Sequence, residues 1–214
     1  VLGQVNSNGV LTLNAGPLAK QRTYLDTVDA GESFILSGRG GVVDVQFGDY
    51  YNKFTGVTSV VVDLGEGNDS LDAGSLYNVK VTARGGKGDD KIVLGDAGGI
   101  AFGEDGNDSL SARSSSLSPV TLAGGPGKNR LSGAKGSDTY VFQDALGNDT
   151  LVDPGGMNLD FSAMKGITAY DNGSTLEVLS SQGADLRLGG LAPNSIRLSD
   201  GNDAVRIGRL RADP

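Results

Sequence analysis

Short glycine–aspartate turns are the residues of this chain best suited to chemistry. Gly-Asn-Asp occurs four times, at 67–69, 106–108, 147–149 and 201–203. Close relatives of this tripeptide lie at 88–90 (Gly-Asp-Asp), 127–129 (Gly-Lys-Asn) and 136–138 (Gly-Ser-Asp). Glycine and aspartate favour turns, and a carboxylate on a short side chain is a good oxygen ligand for a hard cation. The repeated turns therefore point to cation binding.

The rest of the composition narrows the chemistry further. Of 26 acidic residues, 22 are Asp and only 4 are Glu, whereas solvated helices favour Glu. The chain has no Cys and no His, which excludes thiol nucleophiles, disulfides, Ser-His-Asp triads and nearly every transition-metal site. A net charge of −8 argues against nucleic acid as a partner, and no apolar run approaches the length of a membrane span.

The turns recur with a nearly constant period. Their third positions are separated by 21, 18, 21 and 20 residues, at Asp69, Asp90, Asp108, Asn129 and Asp149. An apolar series lies between them at intervals of 19 to 21 residues, at Val62, Val81, Phe102, Leu122, Phe142 and Phe161. Two interleaved rows with this period predict a coil of two short strands and two turns.

Stacked coils are the fold that this period favours. Successive coils would lie about 4.8 Å apart, so that each strand pairs in parallel with its counterpart one coil away. With 35 glycines, 37% hydrophobic residues and no tryptophan, we expect a thin core. We therefore predict an all-β, right-handed parallel β-roll or β-helix. One inward ladder would contain Leu71, Ile92, Leu110, Leu131 and Leu151, and the apolar series would face it. An antiparallel sandwich with generic hairpin turns is the alternative.

Four stretches resemble the repeat of a known family. They are GGKGDDKIV (85–93), GEDGNDSLS (103–111), GGPGKNRLS (124–132) and GAKGSDTYV (133–141). Each is similar to the G-G-x-G-x-D-x-U-x nonapeptide of RTX (haemolysin-type) calcium-binding proteins. Residues 53–69 resemble the usual beginning of such a block and residues 136–153 its end. The resemblance covers roughly residues 53–161 and implies several Ca²⁺ ions.

The resemblance places the calcium between stacked turns. Glycine permits positive φ and brings backbone carbonyls toward this gap, and the aspartate would turn its carboxylate into the same gap. The expected aspartate ligands are Asp69, Asp90, Asp108 and Asp149. The expected turn glycines are Gly65, Gly67, Gly86, Gly88, Gly106 and Gly147. Because Asn129 stands where an acid belongs, beside Lys128 and Arg130, we expect the sites around that turn to be weak, empty or replaced by these basic side chains.

The opposite edge of the coils is expected to bind little metal. Only Asp138 qualifies there, with Asp153 and Asn158 one coil later as partners. Family members commonly carry two such edges, so this chain departs from the pattern. Asp203, within SDGNDAVRI (199–207), is a further candidate ligand on one more turn.

The flanks have a different character from the repeats. We expect an N-terminal β cap at 1–52, the calcium-binding β-roll at 53–161 and a C-terminal β cap at 162–214. In the first cap, Asp26, Asp29 and Glu32 are expected to solvate a turn. In the last cap, LRL, IRL and VRI predict short strands with outward arginines, which form either an edge cap or an anion-binding strip. These arginines are Arg187, Arg197 and Arg206.

The expected function is binding and structural, with no catalytic site. The resemblance implies a module of a secreted bacterial protein, exported unfolded by a type I system and folded by external calcium. It would then act as a structural, stabilising or adhesive domain outside the cell or at its surface. Because the chain starts at Val1 without Met or a signal-peptide pattern, we expect a piece of a larger polypeptide.

Two other functions stay open at this point. One is a carbohydrate-binding accessory module for an acidic polysaccharide or a cell-surface glycan. The other is a polysaccharide-modifying β-helix enzyme, for which carboxylates with Lys would supply the acid–base groups. Its candidate residues are Asp44, Asp49, Tyr50, Tyr51 and Lys53.

Overall fold

The structure is a computed structural model of the 214-residue chain. It describes residues 1–22, 27–143 and 149–164 in full. Beyond residue 164 it describes the backbone of five strands, which are named below with the others.

The described residues form one 3₁₀ helix, Gly16–Gln21, and a succession of short β-strands. In chain order the strands are β1 Gly3–Val5, β2 Val10–Leu13, β3 Ser33–Arg39, β4 Val43–Phe47, β5 Tyr50–Phe54, β6 Ser59–Glu66, β7 Ser70–Tyr77, β8 Lys80–Lys87, β9 Lys91–Leu94, β10 Gly99–Asp105, β11 Ser109–Ala112, β12 Val120–Ala123, β13 Arg130–Ser132, β14 Ser137–Val141, β15 Thr150–Val152, β16 Gly156–Phe161, β17 Ile167–Asp171, β18 Thr175–Ser180, β19 Asp185–Gly189, β20 Ser195–Leu198 and β21 Ala204–Ile207.

Of the described strands, 17 form two long sheets that face each other, and the other four form a third sheet of order β19-β18-β17-β21. The first has the order β1-β2-β6-β8-β10-β12-β14-β16-β20 and the second the order β15-β13-β11-β9-β7-β3-β4-β5. From β6 to β16 the chain alternates between the sheets, and each strand pairs in parallel with the strand one coil away. The fold is a β-solenoid of about five coils, which confirms the predicted stacked-coil architecture and excludes the antiparallel sandwich.

The second sheet contains the predicted inward ladder. Leu71 pairs with Ile92, and the register continues through Leu110, Leu131 and Leu151, all of which are buried. Because side chains alternate between the two faces of a strand, this single row forms one wall of the core.

The facing ladder differs from the predicted one. The paired residues are Val62, Ala83, Ala101, Leu122, Tyr140 and Leu159. Phe102 points outward instead, where the Arg84 guanidinium lies 4.6 Å from its ring centroid. Placing Phe102 inside was wrong by one residue, and a shift of one residue along a strand changes the face. The small side chains of Ala83 and Ala101 make the core thin at these coils.

The N-terminal segment takes part in the solenoid. Strand β2 pairs in parallel with β6, and β3 pairs in parallel with β7. The hairpin β4–β5 then extends the second sheet in antiparallel fashion, while β1 does the same at the first sheet. This end contains several of the largest fully buried side chains, including Leu11, Leu13, Phe34 and Leu36.

The C-terminal strands agree with the predicted positions. The LRL, IRL and VRI stretches lie within β19, β20 and β21, and β20 pairs with β16 of the first sheet. The side chains of Arg187, Arg197 and Arg206 lie outside the described side chains, as do all atoms of Asp203 and Gly147. The part of the chain that the structure describes contains no helix long and apolar enough to cross a membrane.

Candidate metal centre

A row of four aspartates and one asparagine runs along one edge of the solenoid. Asp69, Asp90, Asp108, Asn129 and Asp149 each directly precede a strand of the second sheet, and we call them the aspartate row and each position a rung. All five are buried. The sequence prediction that these residues stack from coil to coil is therefore met by the geometry.

One oxygen of each rung holds the preceding coil. The Asp69 amide donates to Asp90 Oδ1 at 2.8 Å, and the Asp90 amide donates to Asp108 Oδ1 at 2.9 Å. The next two links, from Asp108 to Asn129 and from Asn129 to Asp149, are both 2.8 Å. At each turn, where the hydrogen bonds between strands are interrupted, a side-chain oxygen thus accepts the amide of the preceding coil in place of a backbone carbonyl.

The second carboxylate oxygen, Oδ2, has no hydrogen-bond donor at three of the rungs. Within the described residues, Oδ2 of Asp69, Asp90 and Asp108 is buried and accepts no hydrogen bond. The three residues are only 3%, 2% and 1% exposed. A buried carboxylate oxygen without a donor is costly, so each of these rungs needs a proton or a cation.

The pKa values of these groups express the same requirement. Burial raises the pKa of Asp69 and of Asp108 to about 7, and that of Asp90 and of Asp149 to about 6. Neighbouring carboxylates add to the effect, Asp29 at Asp69 and Asp69 at Asp90. The Arg22 guanidinium opposes it at Asp69, and the amide hydrogen bond opposes it at Asp90 and Asp108. Without a counter-charge, the ionised row is therefore unfavourable.

Glycines five residues before the acid shape a small cradle at two rungs. A Cβ on Gly85 would clash with Asp90 Oδ2 and lie 2.8 Å from the Gly103 carbonyl oxygen. A Cβ on Gly103 would clash with Asp108 Oδ2 and lie 2.5 Å from the Gly124 carbonyl oxygen. At Asp69 the corresponding residue is the buried Leu64. The best-formed cradles therefore lie at Asp90 and Asp108.

The predicted turn glycines have the expected backbone. Gly65, Gly67, Gly86, Gly88 and Gly106 have φ between 94° and 146°, a region that other residues avoid. A Cβ on Gly88 would clash with the Gly67 carbonyl oxygen, and one on Gly106 with that of Gly88. The close stacking of the turns thus depends on glycine.

Asn129 shows how a rung is satisfied without a cation. Its Oδ1 accepts the Asp108 amide like every other rung, while its Nδ2 donates to the Gly125 carbonyl at 3.0 Å. The corresponding atom of an aspartate is an oxygen, which cannot donate to a carbonyl. Carbonyl and carboxylate oxygens that meet in this way are what a hard cation bridges.

The opposite edge satisfies its buried acid differently. Asp138 accepts the Val120 amide on Oδ1 at 2.9 Å and the Ala134 amide on Oδ2 at 2.6 Å. Its predicted partners take other roles, because Asp153 accepts the Tyr140 hydroxyl at 3.1 Å and Asn158 donates to the Asp138 carbonyl at 3.1 Å. Both Asp138 oxygens therefore already have donors.

The enzyme candidates lie apart from the aspartate row, on the β4–β5 hairpin and its turn. Lys53 forms an exposed ion pair with Asp44 at 3.4 Å, and Tyr50 and Tyr51 are exposed. A pair of this kind on a hairpin surface is ordinary and of low energy.

The donor set of the aspartate row fits a hard cation with oxygen ligands. In the described part of the chain, no three acidic side chains approach closely enough to hold a metal by themselves. Each aspartate of the row would thus contribute one carboxylate, and backbone carbonyls would supply the other oxygens. Searches for similar proteins add nothing to this geometry, since no family model, no curated protein and no solved structure matches the chain.

The sequence reasoning missed two parts of this edge. It included neither Gly85 nor Gly103, although the doubled glycine of GGKGDDKIV was a signal for Gly85. It also assigned Glu32 to a solvated turn, which is wrong because Glu32 is 3% exposed. Asp29 is half-buried and accepts the Glu66 amide at 2.8 Å, and Asp26 lies outside the described residues.

Proposed function

We propose that this protein is a calcium-binding β-solenoid module that folds on binding Ca²⁺. The observation that carries the proposal is the set of buried, donor-less Oδ2 atoms at Asp69, Asp90 and Asp108. The resemblance to RTX repeats supports the same metal. On this basis the module belongs to a secreted bacterial protein, works outside the cell or at its surface, and is not an enzyme.

The donor chemistry favours calcium over other metals. The chain offers no thiolate and no imidazole, which disfavours zinc, copper and iron. Magnesium is small and retains several waters, whereas calcium accepts a larger and irregular set of carboxylate and carbonyl oxygens. The rungs offer one buried carboxylate among backbone carbonyls, which suits the larger ion.

Binding and folding would be coupled through the role of each carboxylate. Oδ1 links adjacent coils by accepting an amide, so the side chain must be in place before the coils stack. Oδ2 then faces the interior without a donor. When bound, calcium supplies the positive charge that makes this burial favourable, and its binding energy becomes folding energy.

The implied biology follows from this coupling. Extracellular modules bind calcium at about 10⁻⁴–10⁻³ M, so the calcium-dependent coils of a chain exported through a type I system would stay unfolded in the cell and fold outside it. The folded solenoid would serve as a structural, stabilising or adhesive part of a larger polypeptide.

A calcium titration of the whole chain tests the proposal. Far-UV circular dichroism should show a large gain of β-sheet signal as calcium is added, and isothermal titration should detect saturable binding that magnesium does not reproduce. The variant D90N/D108N should lose most of this binding. A spectrum equally β-rich in excess chelator and in calcium would refute the coupling.

A glycan-binding role is a second candidate, favoured by a trough on the outer face of the first sheet. The trough has a volume of about 810 Å³, and its lining includes Arg84, Phe102 and Glu104. Arg84 forms an ion pair with Glu104 and lies over the Phe102 ring. Affinity electrophoresis in acidic and neutral glycans, compared with the variant R84A/F102A, tests this role, and equal retardation of the two proteins relative to a glycan-free gel would exclude it.

A further inference from the structure

Glu32 occupies the position of a rung one coil before Asp69. It directly precedes strand β3, and its amide donates to Asp69 Oδ1 at 2.5 Å, as the Asp69 amide donates to Asp90. Its carbonyl accepts the Ser70 amide at 2.7 Å, as the Asp69 carbonyl accepts the Lys91 amide at 2.8 Å. The aspartate row therefore begins at Glu32, although no glycine motif precedes it.

Each carboxylate oxygen of this first rung meets a positive or hydrogen-bonding group of the protein. Oε2 accepts the Gly16 amide at 2.7 Å, and Oε1 forms an ion pair with the Arg22 guanidinium. The side chains of Glu32 and Arg22 are 1% and 0% exposed. Arg22 Nε also donates to the Asn14 carbonyl at 2.6 Å, and the guanidinium lies over the Phe47 ring at 4.7 Å.

We infer that Arg22 takes the place of a metal ion at the first rung, so that the N-terminal end of the solenoid forms without calcium and serves as the template on which the calcium-dependent coils order. This inference rests on the proposed function. It adds a direction to folding, from the coil of β2 and β3 toward the C terminus.

The charges support this assignment. A buried carboxylate needs a counter-charge within the low-dielectric interior. At Glu32 that charge is a guanidinium, which stays protonated at any ordinary pH and which a chelator cannot remove. At Asp90 and Asp108 no described side chain supplies it.

The core supports it as well. The first coil and its hairpin bury Leu11, Leu13, Phe34 and Leu36, and Phe34 contacts Phe47 with ring centroids 4.9 Å apart. The following coils place Ala83 and Ala101 at the centre of the first sheet. Because hydrophobic stabilisation scales with buried apolar area, the N-terminal coil depends least on added ions.

Hydrogen–deuterium exchange of the full chain, with and without calcium, tests the inference. In excess chelator, peptides covering β2 and β3 should stay protected, while those covering β9 and β11 should exchange rapidly and regain protection in calcium. If all four strands lost protection together in chelator, the inference would be overturned, but the proposed calcium binding would still stand. Equal protection of β9 and β11 in both conditions would instead refute the proposed function.

Two variants separate the ion pair from packing in general. Arg22→Met removes the charge but keeps an apolar side chain against the Phe34 and Phe47 rings, and should raise exchange of β3 in chelator by about 100-fold or more, since it leaves a buried unpaired carboxylate. R22M/E32Q removes both charges and should restore most of the protection. Unchanged exchange in R22M, or no recovery in the double variant, would overturn the inference.

An exposed ion pair provides the matched control. Lys87 and Glu66 pair at 2.9 Å on the surface of the next coils. Lys87→Met should leave exchange of β3 unchanged, because exposed pairs contribute little. A control effect as large as that of R22M would mean that any loss of charge loosens this end, and would also overturn the inference.

Discussion

Asp90 and Asp138 are buried carboxylates at turns on opposite edges of the same solenoid, yet their oxygens have different partners. Asp138 accepts one backbone amide on each oxygen. Asp90 accepts one amide, and its second oxygen has no donor within the described residues. Burial of an acid at a turn therefore does not by itself indicate a metal site. The count of donors per oxygen separates a structural aspartate from a candidate ligand.

The space beside the two aspartates differs in the same way. Gly133 lies five residues before Asp138, as Gly85 lies five residues before Asp90. A Cβ on Gly133 would meet both Asp138 Oδ2 and the Tyr140 hydroxyl. Burial raises the pKa of Tyr140 and the Asp153 carboxylate raises it further, so the hydroxyl stays a proton donor. A tyrosine thus occupies the cradle on this edge.

The largest expected effect concerns the whole aspartate row and pH. In excess chelator, the folded-state pKa values of about 6 to 7 lie above the ordinary value of 3.8, so the folded state binds more protons than the unfolded state. Stability should therefore rise as the pH falls from above 7 through 6, and this gain should end near the ordinary value. The β-sheet signal of the metal-free protein in far-UV circular dichroism, measured along this range, checks it.

The composition makes this titration easy to interpret. The chain has no histidine, so the usual titrating side chain in this pH range is absent. In saturating calcium the ions compete with protons, and the slope should flatten or reverse. A metal-free protein that steadily loses β-sheet signal as the pH drops from 7 toward 4 would contradict the assignment of these carboxylates.

Filling a cradle should have the next largest effect. Gly103→Ala places a Cβ against Asp108 Oδ2 and the Gly124 carbonyl, which should cost about 3 kcal/mol of unfolding free energy in calcium and weaken calcium binding. Gly74→Ala is the control, because its Cβ would meet only Asp72 Oδ1 at 3.1 Å and a Val93 methyl at 3.5 Å. Thermal melts and calorimetric titration of both variants measure these effects. Equal stability and equal calcium affinity of the two variants would show that Gly103 does not shape a calcium site at Asp108.

Asp138→Asn should destabilise the calcium-loaded protein without changing the number of calcium ions that it binds. One oxygen becomes an amide that faces the Ala134 amide, so a buried donor loses its acceptor, which costs about 2 kcal/mol. Urea unfolding in saturating calcium measures the loss of stability, and isothermal titration measures the calcium stoichiometry. A variant that bound fewer calcium ions would show that Asp138 is a ligand after all.

Asp90→Asn should have the smallest effect on the metal-free protein and the opposite sign. The new amide can donate to the carbonyl four residues back, as Asn129 donates to Gly125. The metal-free coil should therefore gain about 1 kcal/mol, measured as slower hydrogen exchange of β9 in chelator, while calcium affinity falls. The converse change, Asn129→Asp, should lower stability in chelator and add a calcium ion to the stoichiometry. If neither variant altered calcium binding, the conclusion that the aspartate row binds calcium and the opposite edge does not would be wrong.

Much of this architecture was predictable because the repeat is carried by turn residues. The spacing of Asp69, Asp90 and Asp108 follows the coil length, and the ladder from Leu71 to Leu151 follows from the fixed distance between each acid and the next apolar residue. Phe102 was placed on the wrong face, because a period near 20 does not determine which of two adjacent residues points inward.

The first rung was beyond the reach of the pattern. Glu32 is not the third residue of a Gly-x-Asp turn, and its side chain is longer than those of the other rungs. Its partner Arg22 follows a 3₁₀ helix in a segment without repeats. Asp138 carried the same motif as Asp90 but not the same surroundings. Donor counts depend on which amides the fold brings close, and spacing alone does not encode them.

The links through Oδ1 give each coil two compatible ends. The unit that begins at Asp90 accepts the amide of the coil before it and offers its own amide to Asp108, 18 residues later. Duplicating such a unit would therefore lengthen the solenoid by about 4.8 Å with every new contact already specified. Gene duplication could lengthen or shorten such a rod one coil at a time without inventing a new joint.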